Sequence, residues 1–247
     1  MNDDRVSFGS HLGELKRRVI YTVLFLVVSV GVALAFHRVI LSVLLQPLTR
    51  AGGEVFRLDL IEFWATLLKA SVVAGIAATV PFALFQAVRF VAPGLKPHER
   101  RWLIFLVPGA VLSFATGVAF GYFVLLPPAI GFLFSYGSDI ATPLISIGKY
   151  INLVTLLLFW LGAIFEMPIV MFFLAKIGVV TPEWIGGKRR WAVVLAFVAG
   201  AMITPTFDPV NQALVAGPII VLYEVGYWLA RLAVRGRRRA ATEMTTG

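Results

Sequence analysis

The sequence predicts an all-α, polytopic integral membrane protein, with six transmembrane helices in a curved bundle and the last two spans short. Three observations carry that prediction. Apolar runs long enough to cross a bilayer, about 20 residues each, recur along a chain that is 59% hydrophobic with a mean hydropathy of +0.88. Charged residues make up 14% of it, against roughly 25% in soluble domains. Prolines fall inside four of the apolar runs, at Pro81, Pro108, Pro168 and Pro218, and each removes a backbone donor and bends its helix. Such kinks are also common in membrane helices and are repaired by neighbours.

The spans fall at roughly 19–36, 66–88, 102–126, 150–176, 191–204 and 212–230. The first follows Lys16-Arg17-Arg18 and ends near Ala33-Leu34-Ala35, which has the outline of a cleavable signal. Its apolar run exceeds the roughly 7–15 residues of such a signal, and more spans follow, so it reads as a retained span. The segment 38–65, with Pro47, Gly52-Gly53, Asp59 and Glu62, reads as a small lid or interfacial helix. The segment 127–148 is more apolar than a solvated loop needs to be and is expected to pack on the outer membrane face.

From Trp191 to Ile203 the fifth span offers about 20 Å of helix, against a hydrocarbon core of about 30 Å. The sixth is interrupted by Pro218 and Glu224. This end of the bundle must thin the lipid, or present its ends to water or a partner. The division expected is a membrane domain over 1–234 and a basic, disordered cytoplasmic tail over 235–247.

Orientation follows from lysine and arginine. Seventeen of them lie on the side that holds both termini, including Lys16, Arg17, Arg18, Arg89, Lys188, Arg189 and Arg190, and five lie on the other. The positive-inside rule puts both termini in the cytoplasm. It also accounts for the net charge of +9 without nucleic acid. Absent cysteines exclude disulfides, thiolate metal sites and cysteine nucleophiles. His11, His37 and His98 stand at span ends without ligand spacing, so neither a metal centre nor an intramembrane serine protease is expected. No phosphate-cradling glycine loop is present. No cofactor is implied, and the chain does not read as an enzyme.

Three carboxylates stand out. Glu14, in "HLGELKRRV", is either half of a surface ion pair with Arg17 or Arg18 at helical spacing, or a carboxylate that receives a cationic ligand. Glu99, in "LKPHERRW", is either part of a helix start behind Pro97 or a second such carboxylate. Two of them at one surface suit arginine, whose fork binds carboxylate bidentately, better than lysine. Glu166 lies within the fourth span beside Pro168, which cannot donate to the carbonyl of Ile164. A hydrated concavity would satisfy both, lined by groups such as Thr79, Gln86, Asn152, Gln212 and Glu224; otherwise Glu166 is packed protonated or hydrogen-bonded against other helices. Intramembrane carboxylates are costly and therefore functional candidates.

In order along the chain, "HLGELKRRV", "FALFQAVRFVAPGLKPHERR", "PLISIGKYINLV", "FEMP" and "LYEVG" resemble the TatC family, the polytopic receptor subunit of the twin-arginine protein translocase. The resemblance implies that Glu14 and Glu99 read the arginine pair of incoming signal peptides. It implies that Gln86 and Phe90 lie near the groove for the signal's apolar stretch, and that Glu166, with Pro168, belongs to an intramembrane polar cavity. Met202, Thr204 and Gln212 fall in the region that docks single-span TatA-type and TatB-type subunits. Membrane lipid and further copies of the chain are the other partners implied, in the cytoplasmic membrane of a prokaryote, with the proton motive force as energy source. One departure is the stretch "TPTFDPVNQ", longer than the family's usual pattern, which leaves the register of Asp208 open. A proton-coupled small-solute carrier with Glu166 as relay is the alternative, although no internal repeat of the kind many secondary transporters carry is seen.

Overall fold

A computed structural model describes residues 8–91, 102–135, 144–204 and 209–243. Five stretches among them are helical and apolar enough to cross a membrane: Leu12–Ala35, Glu62–Phe90, Leu106–Phe134, Ile147–Ile177 and Gln212–Val234. A sixth helix, Arg189–Ile203, has 15 residues and is the short fifth span. The last apolar stretch has 23 residues, against 29 to 31 in the second to fourth.

The first span is α1 (Phe8–Ala35), followed at once by α2 (His37–Arg50). Leu41, Leu44 and Leu48 recur at helical spacing on one buried face of α2, which makes the lid a packed helix. A short strand β1 (Val55–Phe56) leads to α3 (Glu62–Val91). The third span runs as α4 (Trp102–Phe120), a π-helical turn at Gly121–Leu125, and α5 (Leu126–Ser135). It is longer than the sequence suggests. Pro127 and Pro128 sit in the first turn of α5, where a missing donor costs little, and the π turn absorbs the mismatch. As far as Ser135 the apolar stretch after 126 therefore extends a span; residues 136–143 lie outside the described residues.

Strand β2 (Ile145–Ser146) pairs in parallel with β1, Val55 opposite Ile145 and Phe56 opposite Ser146. The fourth span then follows as α6 (Ile147–Phe165) and α7 (Met167–Ile177). Ser146 caps α6 by accepting from the Lys149 amide at 3.3 Å. Gly178, at φ 83°, closes α7 in the left-handed conformation glycine adopts freely. A short α8 (Pro182–Gly187) precedes α9 (Arg189–Ile203) and α10 (Pro209–Glu243). The backbone of α10 stays helical through the basic stretch after 234, where arginine and alanine are strong helix formers.

The core centres on α6. Ile151, Val154, Leu157 and Leu161 are buried against α2, the π turn and α10. Gly117 on α4 allows a close approach to the α6 backbone: a Cβ there would lie 2.6 Å from the Leu161 carbonyl oxygen and 2.9 Å from Gly162 Cα. Small residues at helix crossings do in lipid what burial from water does elsewhere.

Candidate functional site

Where α1 and α3 meet at the basic end of the bundle, a cleft of about 600 Å³ is lined by Gly13, Glu14, Arg17, Arg18, Tyr21, Gln86 and Arg89. The helical phase of α1 brings Glu14, Arg18 and Tyr21 to it together. Arg18 pairs with the Glu14 carboxylate through Nη2, and its Nε donates to the same oxygen at 3.2 Å. Its Nη1 donates to Gln86 Oε1 on α3 at 3.3 Å. Arg17, which also lines the cleft, donates through Nε to Tyr21 Oη at 2.8 Å. Gln86 is buried, and Phe90 follows one turn later on α3, half-buried. The Glu14–Arg18 ion pair anticipated from spacing is therefore present, and Glu14 and Gln86 share one cleft. Glu99 lies outside the described residues.

The break between α6 and α7 sits at Glu166, as Pro168 requires. Its backbone is repaired: Ser113 on α4 donates to the Phe165 carbonyl, and the Ile169 and Val170 amides donate to the Glu166 carbonyl at 3.1 and 3.0 Å. The side chain is not. Glu166 is 4% exposed, and among the described residues neither carboxylate oxygen has a hydrogen-bond partner. The polar groups expected around it are dispersed. Gln86 serves the cleft, and Thr79 bonds its own helix at Gly75. Asn152 lines a separate hollow beside Glu62 and Lys69. Gln212 donates to the Phe197 carbonyl at 2.7 Å, and Glu224 pairs with Arg189. The fourth span supplies a kink and a buried carboxylate; Thr79, Gln86, Gln212 and Glu224 are bonded elsewhere, and Asn152 lines its own hollow with its Oδ1 unpartnered among the described residues.

In the short pair, Met202 is 81% exposed on α9. Thr204 is buried and donates to the Gly200 carbonyl at 2.7 Å. Gly200 in turn lets α10 approach, since a Cβ there would lie 2.9 Å from the Gln212 carbonyl oxygen. Gln212 thus ties α10 to α9, Thr204 bonds the last turn of α9 itself, and Met202 faces outward. Asp208 lies outside the described residues.

One organising residue escaped the sequence reading. Glu62, opening α3 at the far end, accepts from the Leu58 amide at 2.7 Å, the Gly148 amide at 3.0 Å and the Ser146 hydroxyl. Tyr122 and Tyr150 reinforce the same end by donating to the Val43 and Leu44 carbonyls of α2, at 2.9 and 3.0 Å. Only the acid at a helix start hinted at this; beyond Leu58, its partners are 84 and 86 residues away in sequence.

Fold and site define an all-helical, multi-pass membrane protein with a charged cleft between its first two spans. The family model for "Sec-independent protein translocase protein (TatC)" matches residues 10–218, and the chain belongs to that family. It is 38% identical over 232 residues to TatC of Aquifex aeolicus, covering 92% of this chain and 96% of the relative. Against TatC of Carboxydothermus hydrogenoformans the identity is 34% over 231 residues, covering 94% and 95%. Against the chloroplastic TatC of Arabidopsis thaliana it is 35% over 234 residues, covering 95% and 69%. A crystal structure of the twin-arginine translocase receptor TatC superposes with a TM-score of 0.78 at 37% identity, covering 91% of this chain and 99% of that one. The chain is thus a protein-transport component of the Sec-independent translocase, and a small-solute carrier is not favoured.

Proposed function

We propose that the protein is the receptor for twin-arginine signal peptides and the core subunit of a translocase that exports folded proteins. It resides in the cytoplasmic membrane of a prokaryote with both termini inside, the orientation favoured by the sorting of its basic residues. The observation that carries this reading is the placement of Glu14. On a TatC-family scaffold, its carboxylate stands in an open cleft beside Gln86, at the basic end of the bundle. Glu14 and Glu99 take the two guanidinium groups through charge-assisted hydrogen bonds. The apolar stretch of the signal lies along α3 past Gln86 and Phe90. The role is binding and assembly, not catalysis.

TatA-type and TatB-type single-span subunits dock on α9 and α10 near Met202, Thr204 and Gln212, where α9 is too short to match the bilayer. Further copies of the chain join the complex, and the proton motive force supplies the energy, as the family resemblance implies. Glu166 and the break at Pro168 serve transport, not recognition. Glu166→Ala is therefore expected to keep signal-peptide binding and lower export at least tenfold; loss of binding in that variant overturns the division of labour.

The deciding experiment is binding of a synthetic twin-arginine signal peptide to the protein in lipid nanodiscs, beside a matched twin-lysine peptide and the Glu14→Ala and Glu99→Ala variants. Tighter binding of arginine, abolished in either variant, is the expected result. Equal binding of the two peptides, or variants without effect, overturns the receptor reading.

A further inference from the structure

The cleft holds a paradox. A receptor for two arginines should be acidic, yet three arginines, Arg17, Arg18 and Arg89, line it beside one carboxylate among the described residues. Arg18 is also more deeply placed than the acid it pairs with: its side chain is 16% exposed against 33% for Glu14. An ordinary exposed pair one turn apart on a helix leaves both heads in water and contributes little. Here the guanidinium reaches across to Gln86 on the neighbouring span while Nε and Nη2 converge on one Glu14 oxygen.

We infer that Arg18 is an internal ligand of the recognition cleft: its guanidinium occupies Glu14 and must be displaced before a signal-peptide arginine can bind. The inference rests on the proposed role of Glu14. The exchange is guanidinium for guanidinium, so the hydrogen bonds lost to Arg18 are regained from the peptide, and Gln86 offers an acceptor to whichever head is present. The cost is a threshold. Apparent affinity falls by the fraction of time the carboxylate is open, so a cleft open about one time in ten binds about tenfold more weakly than its intrinsic limit. Because every cationic ligand meets the same threshold, Arg18 scales affinity without changing the preference for arginine over lysine. Recognition is thereby kept weak enough for the signal to be released once its cargo has been handed on.

The test measures peptide affinity for the full chain in nanodiscs carrying Arg18→Gln, Arg18→Lys, Arg17→Gln or Glu14→Ala. Arg18→Gln is expected to tighten both the twin-arginine and the twin-lysine peptide by about three- to tenfold, at an unchanged ratio between them. Arg18→Lys keeps the charge, loses the fork and is expected to fall between; it also carries the test if the glutamine variant does not fold. Arg17→Gln removes the same charge from the same cleft without removing the Arg18–Glu14 pair, and is expected to tighten both peptides clearly less than Arg18→Gln does. Weaker or unchanged binding in both Arg18 variants overturns the inference and makes Arg18 a positioning residue. Equal tightening by Arg17→Gln overturns it in favour of general charge repulsion. If Glu14→Ala binds as well as the unaltered protein, the receptor role of Glu14 fails first and the inference with it, a result separable from the other two.

Discussion

The first and fourth spans share a mean hydropathy of 2.2, yet 6% of the first is buried within the protein and 39% of the fourth. Lipid is as apolar as a protein core, so hydropathy says that a helix crosses the membrane and nothing about where it stands in the bundle. Standing is set by close approaches and polar ties. The fourth span has Gly117 and Gly121 against its backbone and side chains, Phe114 over Gly162, and Ser113 bonded to its broken turn. The first span touches α3 at three levels: Val30 on Gly75, Phe25 stacked on Phe82 at 4.4 Å, and Arg18 on Gln86. The scaffold span and the span that carries Glu14 are different, and the latter is held almost wholly by one neighbour, α3.

The strongest way to break this comparison is a matched pair of glycine substitutions. Gly117→Leu drives a side chain into the Leu161 carbonyl and Gly162 Cα, backbone atoms that cannot give way. It is expected to cost about 3 kcal/mol or more and to sharply lower the yield of folded protein on size exclusion in detergent. Gly31→Leu places the same group on α1, where nothing lies within 4 Å of the new Cβ. Its thermal midpoint should match that of the unaltered protein. Equal losses in the two variants would mean that the first span is as much a part of the scaffold as the fourth.

Gly75→Leu sharpens the comparison. A Cβ at Gly75 would lie 2.8 Å from the Val30 amide nitrogen and Cα, so α1 must move off α3. A cost of about 1–3 kcal/mol is expected, with a disproportionate loss of signal-peptide binding because the cleft is shared by the two helices. If peptide affinity survives while the thermal midpoint drops, the cleft does not depend on that seam.

At the far end, Glu62→Gln turns a carboxylate that accepts from Leu58, Gly148 and Ser146 into an amide with fewer acceptor sites. A fall of several degrees in the thermal midpoint is expected, together with faster proteolysis around β1 and β2 and no change in peptide binding. A drop in peptide affinity would couple the two ends of the molecule.

What the sequence disclosed follows the same division. Run length disclosed the spans, and Pro168 disclosed the break at Glu166, because both are local rules. So was the Glu14–Arg18 pair, four residues apart on a helix. The tie from Arg18 to Gln86 spans 68 residues, and those from Glu62 to Ser146 and Gly148 span 84 and 86. Strands of two residues carry no alternation to read. Nothing periodic marks the π turn that lets the third span continue past its prolines. The hollow expected around Glu166 presumed that polar residues within spans seek one another. Most of them bond a nearby backbone carbonyl or one neighbouring helix, which satisfies them at shorter range.

The smallest effects are expected where α10 meets α8 and the start of α9. Tyr223 donates to the carbonyl of buried Ile185 at 2.6 Å, so Tyr223→Phe should cost about 1 kcal/mol. Next to it, Arg189 and Glu224 pair at 2.7 Å with side chains 47% and 37% exposed, and Arg189 also stacks on the Tyr227 ring. Water screens such a pair, and the stacking survives its loss, so Glu224→Gln should change stability by less than about 0.5 kcal/mol. The order of the two variants is the informative result. If the ion pair costs more than the tyrosine hydroxyl, it stands in a medium of low dielectric, because only there does losing one charge leave the other expensively unpaired. The basic start of α9 would then lie below the membrane surface, with no local thinning of the lipid to bring water to it.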